Sequence, residues 1–343
     1  MLKKLFCVSI TLLVICFSLF PKSKKVKVKY PLWINEPYSV YDKNSYFVTV
    51  GSDKNKNLAE LNAVEELAGI FGKDIKSTTT AESTMTETEQ NHITDFISEQ
   101  NLDSQIMVNV DQRNLIGVEI KESFLDESNN IWYSLAVLDK EKACQIYQKE
   151  IQNCYKSIDE NFQASKKTKN TFDKLGYIYK CKQTAQYTQS LFSRLQVIDF
   201  NKAETLRRED IYNNMYSIEL NNITSSLPLS ISINEDYNDE IKTVCTKVFE
   251  GFGFKFSHKS DYILKINIDN SYRTVTNPEA VYCESTLSIK LHSKNGSILF
   301  PFNYSGRAGA KTEELALKKQ YSLLSNIIQT DYKQEIQNVL LQE

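Results

Sequence analysis

The chain has 343 residues, a formal net charge of −2 and 41% hydrophobic residues. It is long enough for two ordinary domains, and its ten glycines and six prolines are too few for a fibre or a linker. A net charge so close to zero does not favour a nucleic-acid-binding function, so we expect no nucleic-acid partner.

The N-terminus has the pattern of an export segment. Residues 1–20 place Lys3 and Lys4 before an uncharged apolar run, which is typical of a signal peptide or of a short retained anchor. Cys16 is a candidate lipid acceptor. Residues 21–29 form a basic linker with five lysines, which is either a solvated leader or a tether to anionic lipids. We therefore expect an exported protein, which is associated with membrane through residues 1–29 if the segment is retained or lipidated or if the lysines bind anionic lipids.

A first α+β domain is predicted over residues 30–139. Residues 31–34 form an apolar clamp around Trp33, and a strand follows at residues 46–50. A turn at residues 51–53 offers Ser52 or Asp53 as the cap of a long helix. The helix carries an apolar stripe at steps of three and four, which we expect to be its buried face: Leu61, Val64, Ala68, Phe71 and Ile75.

The rest of this domain is predicted to complete a mostly antiparallel sheet. A polar arm at residues 77–90 follows the helix, either as its continuation or as an extended segment. Residues 105–122 alternate like two strands around a turn at 111–114. After another turn, residues 131–138 read as a strand too apolar for a sheet edge.

The order of these motifs resembles the Lpp-twenty family of bacterial outer-membrane lipoproteins over about residues 30–145. The resemblance rests on motifs at Pro31-x-Trp33, on residues 46–51, on the alanines of the helix, and on the strands around residues 115–120 and 132–139. It implies a cell-envelope protein of the periplasm or outer membrane without known catalysis, with other envelope proteins as partners. It supplies no catalytic residue.

A helical hairpin is predicted over residues 140–222, with a narrow seam of the coiled-coil type. Its two helices are separated by a polar break at residues 165–170. Cys154 and Cys181 fall at one level of this hairpin. They are either core thiols or, in an oxidising compartment, a disulfide, although the usual helix spacing exceeds the distance that a bridge prefers.

A second α+β domain is predicted over residues 223–343. Strands are expected at residues 227–233, 254–256, 262–270, 281–291 and 297–304, with a helix at 238–250. Asn295-Gly296 is a strong hairpin signal, and Thr312 caps a closing helix. The fold class is therefore α+β, with two antiparallel-sheet-plus-helix domains joined by the helical hairpin.

No catalytic, cofactor or metal site is predicted. The only histidines, His92, His258 and His292, lack a metal-binding spacing, and the run from His258 to Asp261 reads as a surface turn. We expect a non-enzymatic envelope protein that works as an assembly or scaffold component. The alternatives are a small-ligand or peptidoglycan-binding module, with a groove lined by the polar arm and aromatic side chains, and an envelope hydrolase.

Overall fold

The computed structural model describes residues 29–86, 115–276 and 279–341, with the backbone alone for 74–86 and 279. The described residues form two compact units, the first from residues 29–70 and 115–140 and the second from the remainder. Each unit combines a sheet with helices, so the α+β class is confirmed. The predictions for residues 1–28 and for the strand and turn at 105–114 lie outside the described residues. The domain boundaries at 139 and 222 stay predictions.

The first unit is built on a three-stranded antiparallel sheet. Strands β1 (Tyr46–Asp53) and β2 (Val118–Asp126) flank β3 (Ile131–Asp139). The central position of β3 confirms the interpretation of its apolar run, since residues 134–138 are all buried. The predicted turn at 51–53 is wrong because β1 continues to Asp53, paired with Trp132.

Helix α1 (Lys56–Thr86) buries Ala68 and Phe71 as predicted, but near its start the buried face differs from the predicted stripe. Ala59, Ala63 and Leu67 are fully buried, whereas Leu61 is 50% exposed. The cause is Gly51, since a Cβ atom there would lie 2.2 Å from the backbone nitrogen of Ala63. The helix therefore packs directly on the strand backbone, which only small residues permit.

The cap of α1 is also different from the predicted one. The side chain of Asn55, rather than that of Ser52 or Asp53, accepts a hydrogen bond from the backbone nitrogen of Asn57 at 2.9 Å. Because β1 runs on to Asp53, the first free amides of the helix lie beyond the reach expected for the earlier residues.

Residues 29–45 cover the other face of this sheet. Two 3₁₀ turns, Leu32–Ile34 and Pro37–Ser39, carry Trp33 into the core, where it is 3% exposed. The backbone nitrogen of Val48 on the edge strand β1 donates to the hydroxyl of Tyr38 at 3.3 Å. The segment thus fills the core and satisfies a strand edge that would otherwise be open to pairing.

The second unit begins with helices. They are α2 (Lys140–Lys167), α3 (Thr171–Ile198), α4 (Phe200–Glu204), α5 (Glu209–Tyr212) and α6 (Met215–Ser225). The predicted seams of α2 and α3 are largely buried, as in Tyr147, Ile158 and Leu195. The thiol of Cys181 lies 3.5 Å from the carbonyl oxygen of Ile158, so the two helices are in contact. Coiled-coil packing stays a prediction.

The sheet of the second unit has four strands in the order β4-β5-β6-β7. The elements are β4 (Leu229–Ile233), α7 (Glu240–Gly251), β5 (Tyr262–Thr276), β6 (Glu279–His292), β7 (Ile298–Ala310), α8 (Glu313–Ile327), a π-helical turn (Ile328–Tyr332) and α9 (Lys333–Leu341). The prediction of a wholly antiparallel sheet is wrong here because β4 pairs with β5 in parallel. The intervening helix α7 supplies the crossover that parallel strands need. The strand expected at residues 254–256, between α7 and β5, makes a single β-bridge, from Leu229 to Phe256.

One hydrophobic core joins the helices of this unit to its sheet. Tyr179 of α3 lies 6.0 Å from Phe252 between ring centroids, and Phe172 lies 5.4 Å from Tyr262. Leu175 and Ile178 belong to the same cluster. The apolar face of α3 is therefore shared between its helical neighbours and the sheet.

Candidate functional site

The first described residues of the chain are fastened to the first sheet by two long-range hydrogen bonds. Trp33 donates from Nε1 to Glu122 Oε2 at 2.7 Å, and the Tyr30 hydroxyl donates to Asp126 Oδ2 at 2.5 Å. A buried tryptophan needs such an acceptor for its N–H. The chain is thus bonded to the sheet from Tyr30 onward, directly after the basic linker.

Asp126 is the polar centre of this attachment. Its carboxylate is fully buried and also accepts from the backbone nitrogen of Ser128 at 2.9 Å and the side-chain amide of Asn129 at 2.7 Å. The hydrogen bond from Tyr30 is the main cause that holds the pKa of this carboxyl below its usual value, and the same bond raises the pKa of the Tyr30 phenol. The carboxylate is therefore favoured in its charged form.

An aromatic cleft of about 330 Å³ lies beside this attachment. Tyr30 and Tyr133 form its walls, with ring centroids 6.2 Å apart in an edge-to-face arrangement. Val50 adds apolar surface, while Asn35 and Ser52 place polar groups at the rim. Tyrosines with a few polar neighbours are typical of protein contact surfaces. We refer to this feature as the Tyr30 cleft.

The histidines do not meet catalytic partners within the described residues. The hydroxyl of Ser260 donates to the carbonyl of Pro228, and Asp261 accepts from Lys294 at 3.2 Å, so both side chains point to groups other than His258. His292 pairs across the sheet with Ile298. His92 lies outside the described residues. The interpretation of residues 258–261 as a surface turn is supported by these hydrogen bonds.

The cysteines of the described chain are free and buried, Cys154 and Cys181 included. The two therefore form no bridge with each other in this structure. Burial raises the pKa of every one of these thiols, that of Cys181 to about 12. A raised pKa disfavours the thiolate, which is the nucleophilic form.

A charged cluster ties α5 to α2 and α6. Arg208 donates to both carboxylate oxygens of Asp210, at 3.0 and 2.6 Å, and to Asp159 at 2.9 Å. The Tyr216 hydroxyl donates to the same Asp210 at 2.5 Å. Burial raises the pKa of Asp210, but the hydrogen bonds from Arg208 and Tyr216 outweigh this effect and hold the pKa below its usual value. The cluster fixes the short helices.

The described part of the chain has no group of three or more side chains placed to bind a metal ion. Nor does it have a helix that is both long and apolar enough to cross a bilayer.

The sequence did not single out the Tyr30 cleft. Tyr30 and Tyr133 are about a hundred residues apart, and although Tyr133 lies in the strand motif at 132–139, nothing in the sequence brings it to Tyr30. The one readable signal was Trp33, because its indole N–H had to find an acceptor once the ring was buried. The position of that acceptor, Glu122, depends on the sheet order β1-β3-β2.

Comparisons with known proteins give distant likenesses. No protein-family model matches the chain, and no curated protein matches it. A minor lipoprotein from Acinetobacter baumannii is 14% identical, with a TM-score of 0.25, over 34% of this chain and 93% of its own. The secreted protein HP1454 from Helicobacter pylori is 12% identical, with a TM-score of 0.37, over 84% of this chain and 97% of its own. Likenesses this distant carry no argument about function, and the resemblance to the Lpp-twenty family stays a prediction.

Proposed function

We propose that this protein is an exported, non-enzymatic component of a bacterial cell envelope that acts in assembly through protein contacts. In this proposal, residues 1–29 direct export and hold the chain at a membrane, with Cys16 as the lipid acceptor if the segment is lipidated. The compartment is the periplasm or the outer membrane, and the partners are other envelope proteins.

The attachment of residues 30–33 carries the proposal. Tyr30 and Trp33 are bonded to Asp126 and Glu122 directly after the basic linker. A domain bonded to the chain so close to a membrane segment can lie only a limited distance from the membrane surface. Each extended residue between the two adds at most ~3.6 Å to that distance. Such restriction suits a component that meets its partners in the envelope.

The Tyr30 cleft supplies the contact surface in this proposal. Its aromatic walls lie beside the attachment point, so a partner that binds there is also close to the membrane segment. Tyrosine side chains bury much area with little loss of conformational freedom, which favours them at interfaces.

The finer architecture is part of the same proposal. We propose that α2 and α3 form an antiparallel hairpin that joins, along the chain, the domain of residues 30–139 to that of residues 223–343. The contact between Cys181 and Ile158 supports this arrangement. Cys154 and Cys181 act there as core thiols.

A small-ligand or peptidoglycan-binding role is the second candidate. The observation that favours it is the pair of tyrosine rings facing one cleft, with Asn35 and Ser52 at the rim. Aromatic faces and amide groups also suit a sugar. Binding of purified muropeptides to the protein, measured by calorimetry, separates this candidate from the first.

The test combines fractionation of native cells with site-specific photo-crosslinking. A photoreactive residue at Ser52 or Asn35 is expected to give a defined product with one envelope protein in the membrane fraction. The same residue at Glu65, which is exposed on α1, is the matched control and is expected to give none. Recovery of the protein in the cytosol with an unprocessed N-terminus, or equal products from Glu65 and Ser52, would contradict the proposal.

A further inference from the structure

A second cleft, of about 800 Å³, lies in the second unit between the end of the β6–β7 ladder and helix α8. Its lining comes from three parts of the chain: the start of β6, the end of β7 with the residue after it, and two turns of α8. We refer to it as the lysine cleft. Its volume falls within the range of ordinary small-ligand sites, which is about 300–1,000 Å³.

The floor of the lysine cleft is apolar and flat. A Cβ atom at Gly309 would lie 2.7 Å from the ring of Tyr282, so this ring rests directly on the glycine backbone of the neighbouring strand. Leu315 on α8 is 50% exposed at the same cleft. Leu315 thus offers hydrophobic surface beside the half-buried ring of Tyr282, whose centroid lies 5.6 Å from the guanidinium carbon of Arg307.

The rim carries positive charge. Lys311, Lys318 and Lys319 line the cleft, and no carboxylate is among the lining residues. Lys319 donates to the carbonyl oxygen of Gly309 at 3.3 Å, which holds its ammonium group at the mouth. The other two lysines make no ion pair within the part of the chain described.

The lining of the lysine cleft is more positive than its surroundings. Elsewhere in the unit, Lys174 pairs with Glu219 at 2.8 Å, and Lys294 pairs with Asp261 at 3.2 Å. A groove on the open sheet face is lined by Asp269 and Glu284. Three lysines that line one cleft, with no carboxylate among its lining residues, give a local electrostatic field that favours an anion.

We propose that the lysine cleft binds a phosphoryl group attached to an apolar chain, as in an anionic phospholipid. The phosphoryl oxygens accept from the ammonium groups of Lys311, Lys318 and Lys319, since lysine binds phosphate as a point charge. The apolar chain covers Tyr282 and Leu315. This inference does not depend on the Tyr30 cleft, which is formed by the first unit.

The test is calorimetric titration of the full chain with dihexanoyl phosphatidylglycerol below its micelle concentration. Saturable binding is expected, with no binding of dihexanoyl phosphatidylcholine and much weaker binding of inorganic phosphate. The triple variant Lys311→Gln, Lys318→Gln, Lys319→Gln is expected to lose roughly fivefold in affinity per lysine. Leu315→Gln should weaken lipid binding by roughly fivefold but leave phosphate binding unchanged.

The matched control is the triple variant Lys247→Gln, Lys255→Gln, Lys333→Gln, whose lysines are exposed in the same unit but outside the cleft. It has the same net charge and should bind like the parent chain. Equal weakening by both triples would overturn the proposal, because a general charge effect would then explain binding. Inorganic phosphate that binds as tightly as the lipid would also overturn it, because the apolar floor would then contribute nothing.

Vesicles distinguish a lipid surface from a soluble phosphoryl ester. Phosphatidylglycerol vesicles should be bound with the same dependence on the cleft lysines as the monomeric lipid. Residues 22–29 are unchanged in every variant, so their contribution cancels in the comparison. Vesicle binding that persists fully in the cleft triple, with no monomer binding by the parent, would overturn the proposal.

Discussion

Gly51→Ala tests the close packing of helix on strand in the first unit. The added Cβ would lie 2.2 Å from the backbone nitrogen of Ala63 and 2.3 Å from the carbonyl oxygen of Ala59. Both contacts are with backbone, so no change of rotamer relieves them, and α1 must move away from β1. The hydrogen bond from the Thr49 hydroxyl to the Ala63 carbonyl, 2.7 Å long, is then lost as well.

The expected loss of stability follows from these two effects. Overpacking costs about 1–3 kcal/mol, and the lost hydrogen bond adds about 1 kcal/mol. The sum is about 2–4 kcal/mol in the free energy of unfolding. For a unit of this size the melting temperature should fall by roughly 8–30 °C.

Tryptophan fluorescence during thermal unfolding measures this change selectively. The chain has two tryptophans, and both Trp33 and Trp132 belong to the first unit. Gly69→Ala is the matched control, since a Cβ there meets nothing within 4 Å and the position lies inside α1. It should stabilise the unit by about 0.5–1 kcal/mol.

A second variant separates the backbone clash from a side-chain clash. Adding Ala63→Gly to Gly51→Ala removes only a Cβ atom, and the backbone atoms that oppose the new methyl group remain. The double variant should therefore show no rescue. A melting temperature of Gly51→Ala within 2 °C of the parent chain, or recovery in the double variant, would refute the reasoning.

Three other changes probe the attachment, the charged cluster and the thiols. The pKa of Asp126 is lower in the folded state than in the unfolded chain, so the unfolded chain binds more protons as the pH falls. The stabilising effect of this carboxylate should therefore be present above the ordinary aspartate pKa of about 4 and be lost as the pH falls through the lowered pKa of the folded state. Asp126→Asn should make the melting temperature, followed by tryptophan fluorescence, less dependent on pH in this acid range. Arg208→Met should cost about 1–3 kcal/mol because it leaves Asp210 partly buried without its cation, and adding Asp210→Asn should recover part of that loss in urea unfolding followed by circular dichroism. A further loss in that double variant would contradict this account of the cluster. The cysteines after residue 20 should react slowly with a thiol reagent in the native protein and give five free thiols in the unfolded, unreduced protein, whereas three would reveal a disulfide.

The elements that the sequence predicted well are those with local signals. The run at 131–138 and the seams of α2 and α3 carry their periodicity in consecutive residues, and the Asn295-Gly296 turn follows from the tolerance of glycine for positive φ, which is +84° here. Thr312 caps α8 as expected, accepting from the backbone nitrogen of Leu315 at 3.3 Å. Each of these depends on residues that are near in the chain.

The errors concern contacts between distant residues. The apolar pattern of α1 predicted that Leu61 is buried. Instead, Ala59 and Ala63 are buried, because Gly51 on β1 allows the helix to pack closely on the strand. The parallel pairing of β4 and β5 depends on how α7 returns the chain. Periodicity reports which side of an element is apolar, whereas the backbone distance to its neighbour is a property of both elements together.

The lysine cleft shows how a buried polar residue can position a surface site. Gln320 on α8 is fully buried and donates from Nε2 to the carbonyl oxygen of Gly306 at 3.1 Å, while its Oε1 has no partner among the described residues. The unpaired buried oxygen costs stability, whereas the hydrogen bond from Nε2 satisfies the carbonyl of Gly306, which a leucine would leave without this donor. The amide also fixes the height of α8 along β7, which a leucine would leave free to slide. Since Lys319 is the next residue and bonds Gly309 three residues further along β7, we infer that this register sets where the ammonium groups stand around the cleft.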